Sequence, residues 1–328
     1  MPEISVIIPC YNAEKTIVRA LQSLEEQSFR DFEAVVVDDG SQDHSVRRIQ
    51  EYAGISRMDI HLIRQENRGV SHARNAGLKQ ARGNLVSFLD ADDVYMPDFL
   101  NVLYFQIIEK HADIAFCRYT FMDSDEELPV TNFQYEAEKT GRYDMLDIFL
   151  HKRTEHVNFC GGLYRCSLIK QHHICFPEEI KYGEDSQFFC TYVFYCEQSG
   201  VFVKKTMYRY LLQETSATRK ISYEKAQNIE VYANIVSLWK RDLHFSHKTG
   251  RILIARSIWA VAKDFAIENK EFFKRLQREY QVKDAMRVMA REGDEYLIRL
   301  SSGLFLVHPS LFFFCVKLYA SFYLRLDR

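Results

Sequence analysis

The sequence predicts an α/β protein: an open, mostly parallel sheet with helices on both faces, followed by a C-terminal helical region. Three observations predict it. Short, apolar, β-branched runs alternate with helically spaced segments through the first hundred residues, the pattern of parallel strands buried between helices. Polar and acidic residues stand directly after three of those runs. Beyond about residue 215 the spacing turns helical throughout. At roughly 150 residues per domain, the length implies about two domains, divided here as 1–215 and 216–328.

The elements follow in order. Ser5–Pro9 (SVIIP) reads as a buried strand, and Ile17, Ala20, Leu21 and Leu24 stand at helical spacing within 13–27. Phe32–Val37 is a second strand, Asp43–Tyr52 a helix, Ile60–Ile63 a strand, Val70–Ala81 a helix and Leu85–Leu89 a fourth strand. Ile114–Met122 reads as a strand, the acidic run Asp123–Thr131 as a surface loop, and Asp144–His151 and Ser186–Tyr195 as helices. Gly200–Leu212, aromatic and β-branched, is a strand or hairpin. Tyr223–Leu243 and Arg251–Ile267 are amphipathic helices, Phe272–Arg299 reads as exposed charge-rich helices, and breaks are expected near Ser246–Gly250, Gly293 and Ser301–Gly303.

Composition bounds the function. Lys and Arg total 43 against 45 Asp and Glu, a net charge of -2, so no basic field points to nucleic acid. The eight cysteines form no CxxC pair and mostly sit in apolar runs, the usage of a reducing compartment. The strand-like Ile4–Ile8 stands where a signal peptide would place its basic and apolar regions, so none is expected. No GxGxxG follows a strand and no GxxxxGK[ST] occurs, which disfavours dinucleotide oxidoreductases and P-loop NTPases.

Ligands of open parallel sheets sit beyond the carboxyl ends of the strands. Pro9-Cys10-Tyr11-Asn12, Asp38-Asp39-Gly40-Ser41 and Asp90-Ala91-Asp92-Asp93 stand there. Turn and cap chemistry accounts for any one of these segments. It does not account for three acids after one apolar strand, whose mutual repulsion is unfavourable without a cation. Hard oxygen donors suit Mg²⁺ or Mn²⁺, held by one or two carboxylates plus substrate phosphates.

In this order, SVIIPCYNAE, VVVDDGSQD, ENRGVSHARNAGL and FLDADD resemble the inverting family 2 glycosyltransferases of the GT-A fold, strongly over residues 3–110 and more loosely through Tyr182-Gly183-Glu184-Asp185 to about 220. The resemblance implies that Pro9, Tyr11 and Asn12 line the pocket of a nucleotide sugar and that Asp39 accepts a hydrogen bond from the base. Arg74 would approach the base, ribose or diphosphate. Asp90 and Asp92 match the DxD motif, Asp92 as metal ligand and Asp90 facing ribose and metal-bound water; Asp93 remains an alternative ligand. Asp185 resembles the general base, with Glu184 positioning it, although both also suit the first turn of a helix. Asn75 and Gly77 read first as packing residues. Asn158–Gly162 lies near the acceptor by resemblance, or is a plain turn. Ser216, Thr218 and Arg219 are a lid or a linker.

The implied activity is transfer of a sugar, UDP-linked by resemblance, to a glycan or lipid-linked glycan acceptor in bacterial surface polysaccharide synthesis. The alternatives are a non-catalytic nucleotide-sugar-binding module and a nucleotidyltransferase. The last segment, 303–328, is rich in Leu, Phe and Tyr, with Pro309 opening a helix and Ser310, Lys317, Ser321 and Arg325 on one polar stripe. It reads as an interfacial helix, or one docked on a partner or on the chain's own core. The expected location is the cytoplasm, peripheral on the inner membrane face.

Overall fold

The computed structural model describes residues 1–122, 135–151, 156–211, 222–293 and 295–326, the side chains of Met122, His151 and 322–326 excepted. The run 123–131, the residues Ser216, Thr218 and Arg219, and the side chain of Arg325 therefore lie outside the described residues. The chain divides into two compact units, Met1–Glu179 with Phe188–Ser216, and Ile180–Gln187 with Ala217–Arg328.

The first unit opens with β1 (Ile4–Cys10), α1 (Ile17–Glu25), β2 (Phe32–Asp38), α2 (Ser45–Ala53), β3 (Asp59–Arg64), α3 (Val70–Gln80) and β4 (Leu85–Phe88). It continues through β5 (Val94–Tyr95), α4 (Phe99–Lys110), β6 (Ile114–Met122), β7 (Ala137–Thr140), α5 (Arg142–His151), β8 (Gly162–Arg165) and α6 (Cys166–Gln171). Next come α7 (Glu184–Tyr195), whose first turn groups with the second unit, and β9 (Gly200–Leu211). The sheet order is β3-β2-β1-β4-β8-β6-β9-β5, with β7 on β9. Pairs β3-β2, β2-β1 and β1-β4 are parallel, as the alternating pattern predicts; β8 runs antiparallel to both β4 and β6, so the second half of the sheet is mixed. Every residue of β1 and β2 is buried. Side chains alternate between the two faces of a strand, so both faces are covered there.

Gly77 shows how closely one cover fits. A Cβ at this position of α3 would stand 2.5 Å from Ile7 Cγ2 of β1, so the helix lies on the sheet at a distance that only glycine permits. At the amino ends of β2 and β3, Glu33 is buried and accepts from Ser5 Oγ, Arg82 N (2.8 Å) and Arg82 Nε (2.7 Å). Burial alone would raise its pKa; the Ser5 hydroxyl and Arg82 outweigh it and hold Glu33 below the usual 4.5. A depressed folded pKa supplies stability that is complete above the unfolded value and is lost as pH falls through the folded one. Glu33→Gln is therefore expected to lose about 1–3 kcal/mol near neutrality and to show a flatter stability profile below about pH 5, read from urea midpoints at a series of pH values.

The second unit contains α8 (Gln227–Trp239), α9 (His247–Glu268), α10 (Lys270–Glu279), α11 (Val282–Glu292), α12 (Tyr296–Val307) and α13 (Pro309–Leu326). Its core joins Trp259, Phe265, Phe273, Leu276, Met286 and Ile298. Two expectations are corrected here. The 272–299 stretch is amphipathic rather than exposed, with Phe273, Leu276, Met286, Met289 and Ile298 buried. No break occurs at Ser301–Gly303: α12 runs through it, because Ser301 is buried and accepts from Trp259 Nε1 at 3.0 Å. The helix ends instead at His308, before Pro309. Among the described residues, no helix is long and apolar enough to cross a membrane. All eight cysteines are free.

Candidate active site

β2, β1 and β4 are adjacent and parallel, so their carboxyl ends share one edge, at the point where the strand order turns from β1 to β4. Asp39 N donates to Cys10 O (2.8 Å) and Leu89 N to Ile7 O (3.0 Å), extending the pairing one step past each strand. The segments singled out from the sequence thus meet on one rim.

The first part of the rim is a stitched double loop. Asn12, at φ 50°, donates its N–H to Ser41 Oγ (3.0 Å) and accepts from Gln42 N at its Oδ1 (2.8 Å). Glu14 N donates to Asp43 Oδ2 and His44 N to Glu14 Oε2, both at 3.0 Å. Gly40 takes φ 75°, and a Cβ there would stand 2.8 Å from Asn67 N. Pro9 is buried in β1, whereas Tyr11 is 51% exposed and presents its ring to solvent. Asp39 is buried. Its Oδ1 accepts from Gln65 Nε2 (2.7 Å) and Arg68 N (2.9 Å), and its Oδ2 from Gly69 N (2.8 Å). This carboxylate ties β2 to the start of α3, and its Oδ2, bonded among the described residues to Gly69 N alone, retains acceptor capacity.

The second part is the turn after β4, closed by Asp93 N donating to Asp90 O at 3.0 Å. Its three acids have different surroundings. Asp93 is buried, accepting from Tyr208 Oη and from Leu211 N (2.8 Å), so it fastens the turn to the end of β9. Burial, then Asp92 and Asp90, hold its pKa well above the carboxylate range. Asp90 pairs with Arg74 Nη2 at 2.8 Å, and Cys160 Sγ lies 3.8 Å from its other oxygen. Asp92 is half-buried; burial and then Asp90 push its carboxyl up to about 6. Arg74 offsets the charge of Asp90, and ionised Asp92 beside them leaves a surplus of negative charge that a divalent cation would offset.

Arg74 stands beside the acids of this turn. It is buried on α3, its guanidinium 4.6 Å from the Phe159 ring centroid and 5.3 Å from that of Phe176, and it reaches Asp90. Asn75 exchanges hydrogen bonds with the backbone of Phe176, both at 2.8 Å, the packing role read for it. Asn158 Oδ1 accepts from Gly161 N at 2.8 Å, a capped turn that carries Phe159 and Cys160 to the rim. Phe159 falls in the 158–162 segment singled out from the sequence, whereas Tyr208 and Phe176 escaped that reading because each reaches the rim through long-range packing; the aromatic strand 200–211 is the nearest signal.

Glu184 and Asp185 begin α7, after Gly183 at φ 90°, where a Cβ would collide with Asn228 Oδ1. Asp185 Oδ1 accepts from Ser186 N at 2.6 Å. Both acids belong to the second unit, while Pro9, Tyr11, Asn12, Asp39, Arg74, Asp90 and Asp92 belong to the first.

Among the described residues, one group of three metal-type donors stands close together, and it is not the three acids after β4. Glu33, Asp59 and His61 bring one ligand atom each within 4.8 Å of one another. Arg82 Nη2 lies 2.6 Å from Glu33, Asp59 and His61 Nε2 alike. A guanidinium already supplies the positive charge there, at the amino ends of the strands and away from the rim.

Residues 5–172, which span both parts of the rim, match the profile of the family described as Glycosyl transferase family 2. The chain belongs to this family. It is 33% identical over 226 residues to Glycosyltransferase GlyA of Streptococcus pneumoniae serotype 4, covering 66% of this chain and 32% of GlyA. It is 32% identical over 190 residues to the poly(ribitol-phosphate) beta-N-acetylglucosaminyltransferase TarS of Staphylococcus aureus (strain Mu50), covering 57% of this chain and 32% of TarS. The chain thus spans about a third of the length of each. The crystal structure of S. aureus TarS 1-349 in complex with UDP-GlcNAc superposes with a TM-score of 0.71 at 22% identity, covering 98% of this chain and 92% of that one. A mannosyltransferase, PcManGT from Pyrobaculum calidifontis in complex with GDP-Man and Mn²⁺, gives 0.54 at 16% identity, covering 97% and 86%. At these identities the likeness is one of fold, and the fold is GT-A.

Proposed function

We propose that this family 2 glycosyltransferase domain transfers a sugar, with inversion, from a UDP-linked hexose or N-acetylhexosamine to a hydroxyl of a growing glycan. The observation that carries this reading is the rim itself: an exposed tyrosine, a buried acceptor carboxylate and a turn of three acids at the carboxyl ends of three adjacent strands. The UDP-GlcNAc and UDP complexes of TarS support the donor class.

Each residue then has a task. Tyr11 stacks on the base or ribose, beside Pro9 and Asn12. Asp39 accepts the base N–H on its remaining capacity. Asp90, oriented by Arg74, would face the ribose and the hydration of a bound cation. Asp92, with Asp90 beside it, would hold a divalent cation; both hard oxygen donors and the surplus negative charge fit Mg²⁺ or Mn²⁺. Such an ion, when bound, stabilises charge on the leaving diphosphate. Asp93 is already committed to Tyr208 and Leu211, which favours Asp92 as ligand. Asp185 takes the proton of the attacking hydroxyl as it approaches the anomeric carbon opposite the diphosphate, with Glu184 positioning it. The acceptor is a lipid-linked glycan of a bacterial surface polysaccharide, met at the inner membrane face through 303–328.

Nucleoside diphosphate release from UDP-, GDP- and dTDP-sugars with Mn²⁺ tests the reading. Slow turnover of a UDP-sugar is the expected result; absence of both turnover and nucleotide binding would overturn it.

A further inference from the structure

The helices α12 and α13 each bury one apolar face and expose another. Ile298, Phe305, Phe312 and Val316 join the core of the helical unit. On the other side of α12 stand Tyr296 (80% exposed), Leu300 and Val307 (76%), and on that of α13 Leu311, Phe314 (69%) and Leu318. The spacings 296–300–307 and 311–314–318 are those of a continuous helical stripe. The chain's own core therefore explains only one of the two apolar faces, and it leaves a second for another occupant.

Charge identifies that occupant. No acidic residue stands between Glu295 and Asp327, although Asp and Glu total 45 in the chain; Arg299, Lys317 and Arg325 stand there instead. Arg299 and Lys317 are exposed, and Lys317 adjoins the Phe314–Leu318 stripe together with Ser310 and Ser321. Exposed Phe, Leu and Tyr beside cations, in a stretch cleared of carboxylates, is the composition of a helix lying in an anionic lipid interface. A surface that pairs with a copy of itself gains nothing from excluding acids, since its cations would then face each other.

We infer that the outer faces of α12 and α13 dock on an anionic lipid bilayer, with Phe314 and Leu318 inserted and Lys317 at the headgroups. This deepens the reading of a lipid-linked acceptor and rests on it. Docking requires neither donor nor metal, so the two readings fail separately.

The test is co-sedimentation of the full chain with vesicles of phosphatidylglycerol and phosphatidylcholine in equal parts, and with phosphatidylcholine alone. Wild type is expected to bind the anionic vesicles, weakening as salt rises, and to bind neutral ones far less. Phe314→Asp/Leu318→Asp is expected to lower the partition at least about tenfold, with its far-ultraviolet spectrum and its UDP-sugar hydrolysis unchanged. Lys317→Glu should weaken binding to anionic vesicles only. No binding to anionic vesicles, equal binding of the double variant, or a wild-type dimer that the double variant abolishes would each overturn the inference.

Discussion

Replacing Asp92 with asparagine is expected to lower kcat/KM for sugar transfer by about 10²–10³-fold. The change is nearly isosteric and removes one charge from the turn after β4. Asp90 remains paired to Arg74 at 2.8 Å and Asp93 remains bonded to Tyr208 and Leu211, so the turn keeps its shape while its capacity to hold a cation falls. Folding stability should hold or rise slightly, because burial and Asp90 already disfavour the charged form of Asp92. Asp93→Asn should behave in the opposite way. It weakens a buried anchor, and its main effect is a loss of stability of about 1–3 kcal/mol. Activity and urea midpoints of the two variants, measured in parallel, separate the proposed metal ligand from the anchor. Equal activity losses with equal destabilisation would assign both acids to structure.

Asp185→Asn is expected to lower kcat by about 10²–10⁴-fold with little change in KM for the donor. An amide keeps a hydrogen-bonding shape but cannot accept the proton of the acceptor hydroxyl. Tyr11, Asp39, Asp90 and Asp92, the residues proposed to hold the donor, are untouched, so UDP affinity should match wild type. Glu184→Gln should cost less, in keeping with the positioning role proposed for it. Unaltered kcat in Asp185→Asn would place the base elsewhere and leave Glu184 and Asp185 as first-turn acids of α7.

The gathering of the rim was legible because its signals are local. Apolar strands that end in Asp38-Asp39 or Asp90-Ala91-Asp92 carry the fold in a few consecutive residues, and parallel pairing of β2, β1 and β4 brings their ends together. The surroundings of Arg74 were not legible. Its partners Asp90, Phe159 and Phe176 come from three distant segments, and nothing near residue 74 announces them. The same holds for Asp93, whose partner Tyr208 lies on β9. The sequence reading also assigned no element to α4. Phe105 and Ile108 are exposed there while Phe99, Leu103 and Ile107 are buried, so apolar residues occur on both sides and the helical period is blurred. The expected break at Ser301–Gly303 failed for a similar reason: small polar residues signal a loop locally, yet Ser301 serves a buried indole.

The central claim is that the carboxyl edge of β2, β1 and β4 binds a nucleoside diphosphate through a carboxylate-held cation. Calorimetric titration of UDP into the full chain, with Mn²⁺ and again with EDTA, tests it most directly. Saturable binding that requires Mn²⁺ and is lost in Asp92→Asn is the expected result. No binding of UDP, or binding that neither EDTA nor Asp92→Asn alters, would contradict it.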